Sequence, residues 1–394
     1  MLTDAPRAAQ AQRSCNVCGS RLKQPIYVSD GPVSVTSLCQ LYRGQAEVFF
    51  CNDCGHIQTA EIEGIAEYYD QEYRILIDSD EEDQLYEVRD GTIIYRTDHQ
   101  VSTLLAKLEL PRGGRVLDYG CAKGATLRKL VALRPDLEPH LFDVSRMYVG
   151  FWEKFAREEN WAIYEVPRRW HGRFDVVTTF FALEHVGDPA ASLRNMGRLL
   201  KPGGILYGIV PNVFTNQADL VVVDHVNHFS LPSLEIALLD SGLRPLEIDA
   251  NAHTGAFVFR AEQPLAPVAS RRGSGDLAQV AESIAQISKY WQNLGTRVRE
   301  FESSLSGNAR VAIYGSGFYG TFIAAALRDL KRVECFLDRN PFRQGKELLG
   351  KPVVEPDALA SGVNAIYVGL NPAGAHRGMA ELGWESRNYR YFFI

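Results

Sequence analysis

A regular alternation of apolar, strand-like segments with helical ones, beginning at residue 113, limits the fold more than any other feature of this 394-residue chain. In GGRVLDYGCAKGATLRKLVAL a strand is followed by a glycine-rich turn and a helix, and further strands are read in EPHLFDVS, RFDVVTTFFALEHV and LLKPGGILYGIVPN. Alternation of this kind predicts an α/β fold with a parallel, doubly wound sheet. A ligand of such a sheet binds at the carboxyl ends of the strands.

Four cysteines near the N-terminus form two C-x-x-C-G motifs: Cys15, Cys18, Cys51 and Cys54. Two thiolates separated by two residues can both point at one tetrahedral ion, so the pattern predicts a small lobe over residues 1–62 that holds a structural Zn²⁺. A redox C-x-x-C would more naturally stand alone. Cys39 and His56 are left over, and we expect a core residue and a surface residue, respectively.

The remainder of the chain divides at a Pro-, Ser-, Gly- and Ala-rich stretch, residues 261–277, which indicates a domain boundary. A second strand, glycine turn and helix follow in ARVAIYGSGFYGTFIAAALRDL. We therefore predict a central domain over residues 63–262 with a helical lead-in, and a second Rossmann-like α/β domain over residues 278–394. An acidic run at 78–83, within the lead-in, is expected to be solvated.

Charge and hydropathy exclude some classes of partner. The formal net charge of -6 argues against a chain whose main partner is a nucleic acid, because that affinity depends on clustered Lys and Arg. No apolar stretch approaches the roughly 20 residues needed to cross a bilayer, and the first residues lack the apolar core of a signal peptide. We expect a cytoplasmic protein without a membrane partner.

The first glycine loop carries an acid, Asp118, at the end of its strand, two residues before Gly120. This arrangement, with the three further segments quoted above in the same order over residues 113–212, resembles class I S-adenosylmethionine (SAM)-dependent methyltransferases. The resemblance implies that SAM is bound by Asp118, Gly120, Cys121 and Gly124. Asp143, at the end of the second strand, can accept hydrogen bonds from both ribose hydroxyls. Ala122 stands where many members have a second glycine, and it is small enough to fit.

The second glycine loop contains Gly315, Gly317 and Gly320, with Asp338 18 residues after Gly320, and it looks like a dinucleotide fingerprint. However, zinc knuckles, a SAM domain and a glycine-loop domain with D-x-N-P-x-x-Q-G at 338–345 occur in an order similar to the sugar C-methyltransferase family. That family acts on nucleotide-linked ketosugars, and its C-terminal domain helps to hold the substrate. The resemblance implies that these glycines have packing or substrate-side roles.

The same resemblance indicates the catalytic residues. His185 matches a histidine that follows the fourth strand of the family's sheet, Asp224 and His225 match an acid–histidine pair, and Tyr73 falls where the family places a tyrosine. The sequence departs from the family at Val222, where a tyrosine is expected, and at the later aromatic position, His228.

Methylation of a carbon beside a ketone requires a base that removes an α-proton, and histidine suits this task near neutral pH. We expect His225 to be the base, oriented by Asp224 or a neighbour. His228, His185 and Tyr73 are alternates or stabilise the enolate. Because the tyrosine is missing, O- or N-methylation of a sugar or another small metabolite is the main alternative. RNA methylation, directed by the zinc lobe, and an NAD-linked oxidoreductase are further hypotheses.

Overall fold

The computed structural model describes residues 13–89, 91–266, 275–384 and 388–394, and it contains three sheets of three or more strands. The first belongs to an N-terminal lobe, residues 13–62, in which two turns carry the cysteine pairs. This lobe contains five short strands: β1 (Tyr27–Val28), β2 (Val33–Val35), β3 (Leu41–Arg43), β4 (Glu47–Phe50) and β5 (Ile57–Thr59). β1, β4 and β5 form an antiparallel sheet, and β2 and β3 form a hairpin.

The lead-in to the central domain is helical only at its two ends. A short helix α1 (Ile65–Glu67) continues into a π-helical turn (Tyr68–Glu72), and α2 (Arg96–Lys107) precedes the central sheet. Between them lies a hairpin of β6 (Leu85–Arg89) and β7 (Thr92–Tyr95), so the expected helical lead-in is wrong there. The Asp-Gly dipeptide between alternating apolar residues is a hairpin signal that outweighs the helical interpretation.

The central domain is built on a seven-stranded sheet in the order β10-β9-β8-β11-β12-β14-β13. Its strands are β8 (Arg115–Tyr119), β9 (Glu138–Asp143), β10 (Trp161–Ile163), β11 (Phe174–Phe180), β12 (Leu200–Pro211), β13 (Arg244–His253) and β14 (Ala256–Glu262). Its helices are α3 (Ala125–Leu133), α4 (Val149–Trp152), α5 (Pro189–Leu199) and α6 (Leu231–Asp240).

All four strands read from the sequence of this domain form, as β8, β9, β11 and β12, and they are parallel. Only β14 pairs antiparallel with its neighbours on both sides. The strand order reverses between β8 and β11, which creates the crevice where ligands of doubly wound sheets bind. The α/β fold class is thus confirmed.

The C-terminal domain begins with a long helix, α7 (Leu277–Ser304), followed by a six-stranded sheet in the order β17-β18-β16-β15-β19-β20. Its other elements are β15 (Arg310–Tyr314), α8 (Phe318–Ala326), β16 (Val333–Leu337), β17 (Glu347–Leu348), β18 (Lys351–Val354), β19 (Val363–Val368), α9 (Pro372–Glu381) and β20 (Arg390–Phe393). Residues 267–274 of the expected boundary lie outside the described residues. None of the described helices has the length and apolarity needed to cross a membrane.

The three parts share one apolar core. Val48 of β4, Val221 of the central domain and Trp291 of α7 belong to the same buried cluster. The Trp291 indole N–H donates a hydrogen bond to the carbonyl of Gln217 over 2.8 Å. Burial of apolar surface therefore holds both flanking parts against the segment that carries the expected catalytic residues.

Candidate active site

The glycine loop between β8 and α3 brings the backbone close to neighbouring strands. Gly120 has φ +74°, and a Cβ there would lie 2.7 Å from that of Ala182, while a Cβ on Gly124 (φ +70°) would lie 2.5 Å from Leu141 Cδ2. Both positions therefore require glycine. Ala122 has φ +46°. Its backbone therefore lies in the left-handed region, which alanine rarely adopts.

The two predicted cofactor acids lie at the carboxyl ends of β8 and β9. Asp118 accepts a hydrogen bond from Thr178 Oγ1 (3.0 Å), and burial raises its pKa to about 7. Asp143 accepts from the backbone N–H groups of Ala122 (2.8 Å) and Ser145 (3.1 Å), and burial raises its pKa to about 6. Asp143 thus holds the glycine loop, and each of its oxygens keeps a lone pair for a further donor.

Cys121 has a backbone role in the same loop. Its N–H donates to the Phe142 carbonyl (3.1 Å), and its side chain is buried. Burial raises the pKa of the thiol well above its usual range, so the sulfur stays protonated and unreactive.

Beyond β11 and β12, the structure brings together three histidines around Asp219, a residue that the sequence reasoning missed. His225 Nδ1 lies 2.6 Å from one carboxylate oxygen of Asp219, and His228 Nδ1 lies 2.8 Å from the other. Although burial opposes it, the two imidazoles hold the pKa of Asp219 below its usual range. The ring of His185 packs against that of His225, with centroids 4.7 Å apart.

His228 differs from the other two histidines because both of its ring nitrogens are occupied. Its Nε2 lies 2.8 Å from Thr59 Oγ1, and the side chain is fully buried. The expectation that His228 could be an alternate base is therefore wrong. It joins the N-terminal lobe to Asp219.

The carboxylate of Asp224 forms its hydrogen bonds with Ser37 and not with His225. Its carboxylate accepts from the backbone N–H (2.7 Å) and the hydroxyl (2.6 Å) of Ser37. Its backbone carbonyl accepts from Tyr69 Oη (2.8 Å) and lies 3.2 Å from His185 Nδ1. Of the two orienting groups that the sequence left open for His225, the neighbour Asp219 makes the contact.

Tyr73 lies beside the histidines, as expected, with its ring centroid 5.4 Å from that of His185. Burial raises the pKa of its hydroxyl well above the usual value, so Tyr73 is a hydrogen-bond donor and not a base. Tyr69 was not anticipated, and its hydroxyl lies 2.7 Å from His185 Nδ1. The crowding of tyrosines in YYDQEY was its only sequence signal.

The pKa values of the two accessible histidines move in opposite directions. Burial lowers the pKa of His185 to about 4. Burial would also lower that of His225, but the carboxylate of Asp219 raises it to about 9. Glu184 completes the cluster: burial raises its pKa to about 8, and one polar atom of each of these three side chains lies within 4.8 Å of the others. Such divergent pKa values are typical of acid–base sites.

The four N-terminal cysteines converge. The sulfurs of Cys15 and Cys54 lie 3.6 Å apart, those of Cys18 and Cys51 lie 3.5 Å apart, and all four fall within 4.8 Å of one another. In a tetrahedral zinc site with Zn–S distances of about 2.3 Å, the sulfurs are about 3.8 Å apart. The cysteine cluster therefore fits a zinc ion.

Cys39 and His56, the two residues not assigned to the zinc site, are both buried. Cys39 is buried, as expected of a core residue, with φ +63°. His56 is fully buried, so its expected surface position is wrong. Its Nε2 lies 3.1 Å from Asn227 Oδ1, which also accepts from Asn16 Nδ2 (3.0 Å), within the first cysteine turn.

The second glycine loop is packed against other residues of the C-terminal domain. Asp338 accepts hydrogen bonds from the backbone N–H (3.0 Å) and hydroxyl (2.5 Å) of Ser316. A Cβ on Gly315 or Gly320 would collide with backbone atoms, and Gly317 faces open space. Tyr319 Oη reaches the central domain and accepts from the Ala218 N–H (3.2 Å). Two of the glycines thus serve packing.

The acidic run is not solvated throughout. Glu82 and Asp83 are buried, and Lys346 of the C-terminal domain lies 2.6 Å from Glu82 and 2.5 Å from Asp78. Asn340 Nδ2 donates to the Asp83 carbonyl (3.1 Å). The expectation fails because these partners are more than 250 residues away in sequence.

Comparison with known proteins shows what the central segment is similar to. Residues 92–248 match a family described as a methyltransferase domain. A ubiquinone biosynthesis O-methyltransferase of Xanthomonas oryzae pv. oryzae (strain PXO99A) is 36% identical over 107 residues, covering 26% of this chain and 44% of the relative. Its counterpart in Xanthomonas axonopodis pv. citri (strain 306) is 36% identical over 110 residues, with the same coverage. This chain therefore spans less than half the length of the curated relatives it matches.

Solved structures that match part of this chain include a SAM-dependent methyltransferase from Mesorhizobium loti, with a TM-score of 0.35, 15% identity, and coverage of 42% of this chain and 97% of that one. Another, from Aquifex aeolicus, has a TM-score of 0.34, 20% identity, and coverage of 41% and 88%. The family match over residues 92–248 indicates a methyltransferase domain in the central segment, and such a domain implies SAM as the cofactor.

The loop residues fit SAM. Asp118 and Asp143 are buried acids with raised pKa values, and neither has a Lys or Arg partner within the described ranges. A ligand that carries positive charge and ribose hydroxyls would supply what these carboxylates lack.

Proposed function

We propose that the protein is a SAM-dependent methyltransferase that methylates a carbon next to the carbonyl of a nucleotide-linked ketosugar. The observation that carries the proposal is the histidine pair. A neutral His185 and a charged His225 stand edge to face beyond the strands that carry the cofactor loop.

Asp118, Gly120, Cys121, Gly124 and Asp143 would hold SAM. Bound SAM supplies an electrophilic methyl group. The role of the loop is positional: Asp143 fixes the Ala122 N–H and can accept a ribose hydroxyl, while the two glycines keep the backbone close to the ligand.

The hydrogen bonds define which atoms of the two histidines can act. Tyr69 donates its proton to the Asp224 carbonyl, so His185 Nδ1 must be the donor to these oxygens and its Nε2 keeps a lone pair. His225 Nδ1–H donates to Asp219, and at neutral pH its Nε2 also carries a proton. His185 can therefore accept a proton while His225 donates a hydrogen bond.

We assign proton removal from the α-carbon to His185 and stabilisation of the enolate oxygen to His225. This assignment exchanges the roles that the sequence suggested. A weak base suffices when a strong donor faces the developing oxyanion, because the donor stabilises the charge that proton removal creates. The enolate carbon then takes the methyl group, and the abstracted proton remains on His185.

The proposed acceptor class is supported by the way the flanking parts enclose the histidines. Ser37 of the N-terminal lobe bonds Asp224, and Thr321 and Arg343 of the C-terminal domain interact with Cys39, two residues from Ser37. The reaction centre is therefore bordered by three parts of the chain, and we propose that the acceptor contacts more than one of them. The order of domains, similar to sugar C-methyltransferases, supports a nucleotide-linked one.

We also propose that the four cysteines hold a structural Zn²⁺. Asn16, inside the first cysteine turn, donates to Asn227, whose own amide donates to the carbonyls of Leu183 (2.9 Å) and Val186 (2.6 Å). The metal would therefore support the segment that carries Glu184 and His185.

O-methylation is the second candidate, because the relatives with 36% identity are named ubiquinone biosynthesis O-methyltransferases. The same histidines could remove a hydroxyl proton.

The test is incubation of the full-length protein with methyl-labelled SAM and a panel of nucleotide-linked ketosugars and their hydroxyl-only counterparts. We expect label only in the ketosugars. Transfer to none of them, with SAM still bound, would contradict the acceptor class.

A further inference from the structure

Lys123 lies within the cofactor loop (residues 120–124), and its side chain is buried. Its Nζ donates hydrogen bonds to the backbone carbonyls of Ser79 (2.9 Å) and Glu82 (2.5 Å), in the acidic segment (residues 78–83). Burial lowers the pKa of Lys123, and the charge of Glu82 opposes this effect. A buried ammonium group is stable only with such partners, so the cofactor loop is tied to the acidic segment.

The acidic segment is in turn held by Lys346 of the C-terminal domain. Lys346 Nζ lies 2.6 Å from Glu82 Oε1 and 2.5 Å from a carboxylate oxygen of Asp78. The Glu82 side chain is 9% exposed, and within the described ranges Lys346 is the one cation that forms an ion pair with it. The other Glu82 oxygen accepts from the Asp78 N–H (3.0 Å). Removal of the ammonium group would therefore leave a buried carboxylate without its counter-charge, which is costly.

The same lysine ends the connection between β16 and β17, the β16–β17 loop (residues 338–346), which contains the D-x-N-P-x-x-Q-G motif. Asn340 of this loop donates from Nδ2 to the Asp83 carbonyl (3.1 Å), which adds a second link to the acidic segment. The charge of Arg343, also in this loop, acts on Cys39, in the part of the N-terminal lobe that borders the reaction centre. The β16–β17 loop thus interacts with both the cofactor side and the acceptor side of the site.

We infer that Lys346 is a positioning residue for the cofactor loop: through Glu82 and Lys123 it holds that loop in the shape that binds SAM. This inference rests on the proposed function, which makes residues 120–124 part of the SAM site. The effect of Lys346 passes through the acidic segment, because both of its ion-pair partners lie there. Linkage is reciprocal, so SAM binding stabilises the β16–β17 loop to the same extent and thereby prepares the acceptor side.

The first experiment is calorimetric titration of the full-length protein with S-adenosylhomocysteine. Lys346→Met should weaken binding about 3- to 30-fold, the range typical of substitutions that act on a ligand through intervening residues. Lys346→Arg, which keeps the charge, should restore the affinity to within about threefold of the unaltered protein. Lys351→Met is the matched control from the same domain, because the charge of Lys351 acts on Glu334 instead, and it should leave the affinity unchanged.

The second experiment separates this role from a purely structural one. Lys123→Met should also weaken S-adenosylhomocysteine binding, and adding Lys346→Met to it should cost no more than about another twofold, because the connection is already broken. In the unaltered protein, S-adenosylhomocysteine should slow backbone hydrogen exchange in residues 338–346, and it should not do so in Lys123→Met.

Three results would overturn the inference: affinity of Lys346→Met within twofold of the unaltered protein, losses that multiply in the double variant, or unchanged exchange in residues 338–346 when the ligand binds. The exchange measurement needs no substitution, so it decides the matter if a variant does not fold. Failure of the unaltered protein to bind S-adenosylhomocysteine would refute the proposed function instead.

Discussion

Replacing Asp219 by Asn tests the electrostatics of the histidine pair. Asp219 is the group that raises the pKa of His225 to about 9 against the effect of burial. Without its charge, burial is opposed only by the smaller effects of Asp224 and Glu184, so the pKa of His225 should fall toward its ordinary value of about 6.5. A fall to that value is about 2.5 pH units, equivalent to about 3.4 kcal/mol between the two protonation states.

The kinetic consequence can be worked out for the proposed roles. With a pKa of about 6.5, the protonated fraction of His225 at pH 7.5 falls from about 97% to about 9%, so kcat/KM should fall about tenfold. The unaltered enzyme should lose activity below pH about 4, where His185 gains a proton, and above pH about 9, where His225 loses one. Asp219→Asn should move the upper limit down toward pH about 6.5.

The assay is the pH dependence of kcat/KM for methyl transfer, with S-adenosylhomocysteine affinity and the melting temperature measured on the same samples. His228→Gln is the matched control: it also breaks a buried contact of Asp219 but leaves the His225 pair intact. It should lower stability without moving the upper limit. An unchanged upper limit in Asp219→Asn, or activity of the unaltered enzyme that only begins to rise near pH 9, would refute the assignment of the charged role to His225.

Two other substitutions probe the cofactor loop and the cysteine cluster. Asp143→Ala should weaken S-adenosylhomocysteine binding at least about tenfold in calorimetry, because it removes a hydrogen-bond acceptor and releases the Ala122 N–H. Asp240→Ala, on the exposed end of α6, is the control and should leave the affinity unchanged. Equal affinities of the two variants would contradict the assignment of Asp143 to the cofactor site. Cys51→Ser should lower the zinc content measured by mass spectrometry and expose the N-terminal lobe to proteolysis, while Cys39→Ala, outside the cluster, should retain the metal. Full zinc content in Cys51→Ser would exclude the four-cysteine site.

Much of the central domain follows from local sequence. The strands β8, β9, β11 and β12 each have more than half of their residues buried, as expected of strands covered on both faces. The hairpin of β6 and β7 was misread because its residues are only half-buried and alternate weakly. The Asp-Gly dipeptide in this part of the sequence carried the better signal.

The sequence predicted which histidines lie in the candidate site, but it did not predict which residues form hydrogen bonds with them. His185 and His225 were found from their motifs, but the acid next to His225 in sequence, Asp224, turns to Ser37. Asp219, six residues away, reaches His225 because a 3-10 turn, Gln217–Val221, folds back on the following segment. Contacts made through tertiary structure, such as Lys346 with Glu82, leave no pattern in a single sequence.

The most direct test of the central claim is hydrogen exchange at the acceptor. A nucleotide-linked ketosugar is incubated with the full-length protein and S-adenosylhomocysteine in deuterated water, and the α-hydrogen is followed by proton NMR. Enolate formation predicts enzyme-dependent loss of that signal without methyl transfer, and its abolition in His185→Gln. Retention of the α-hydrogen through a complete methylation reaction, with the methyl group on oxygen, would contradict the account.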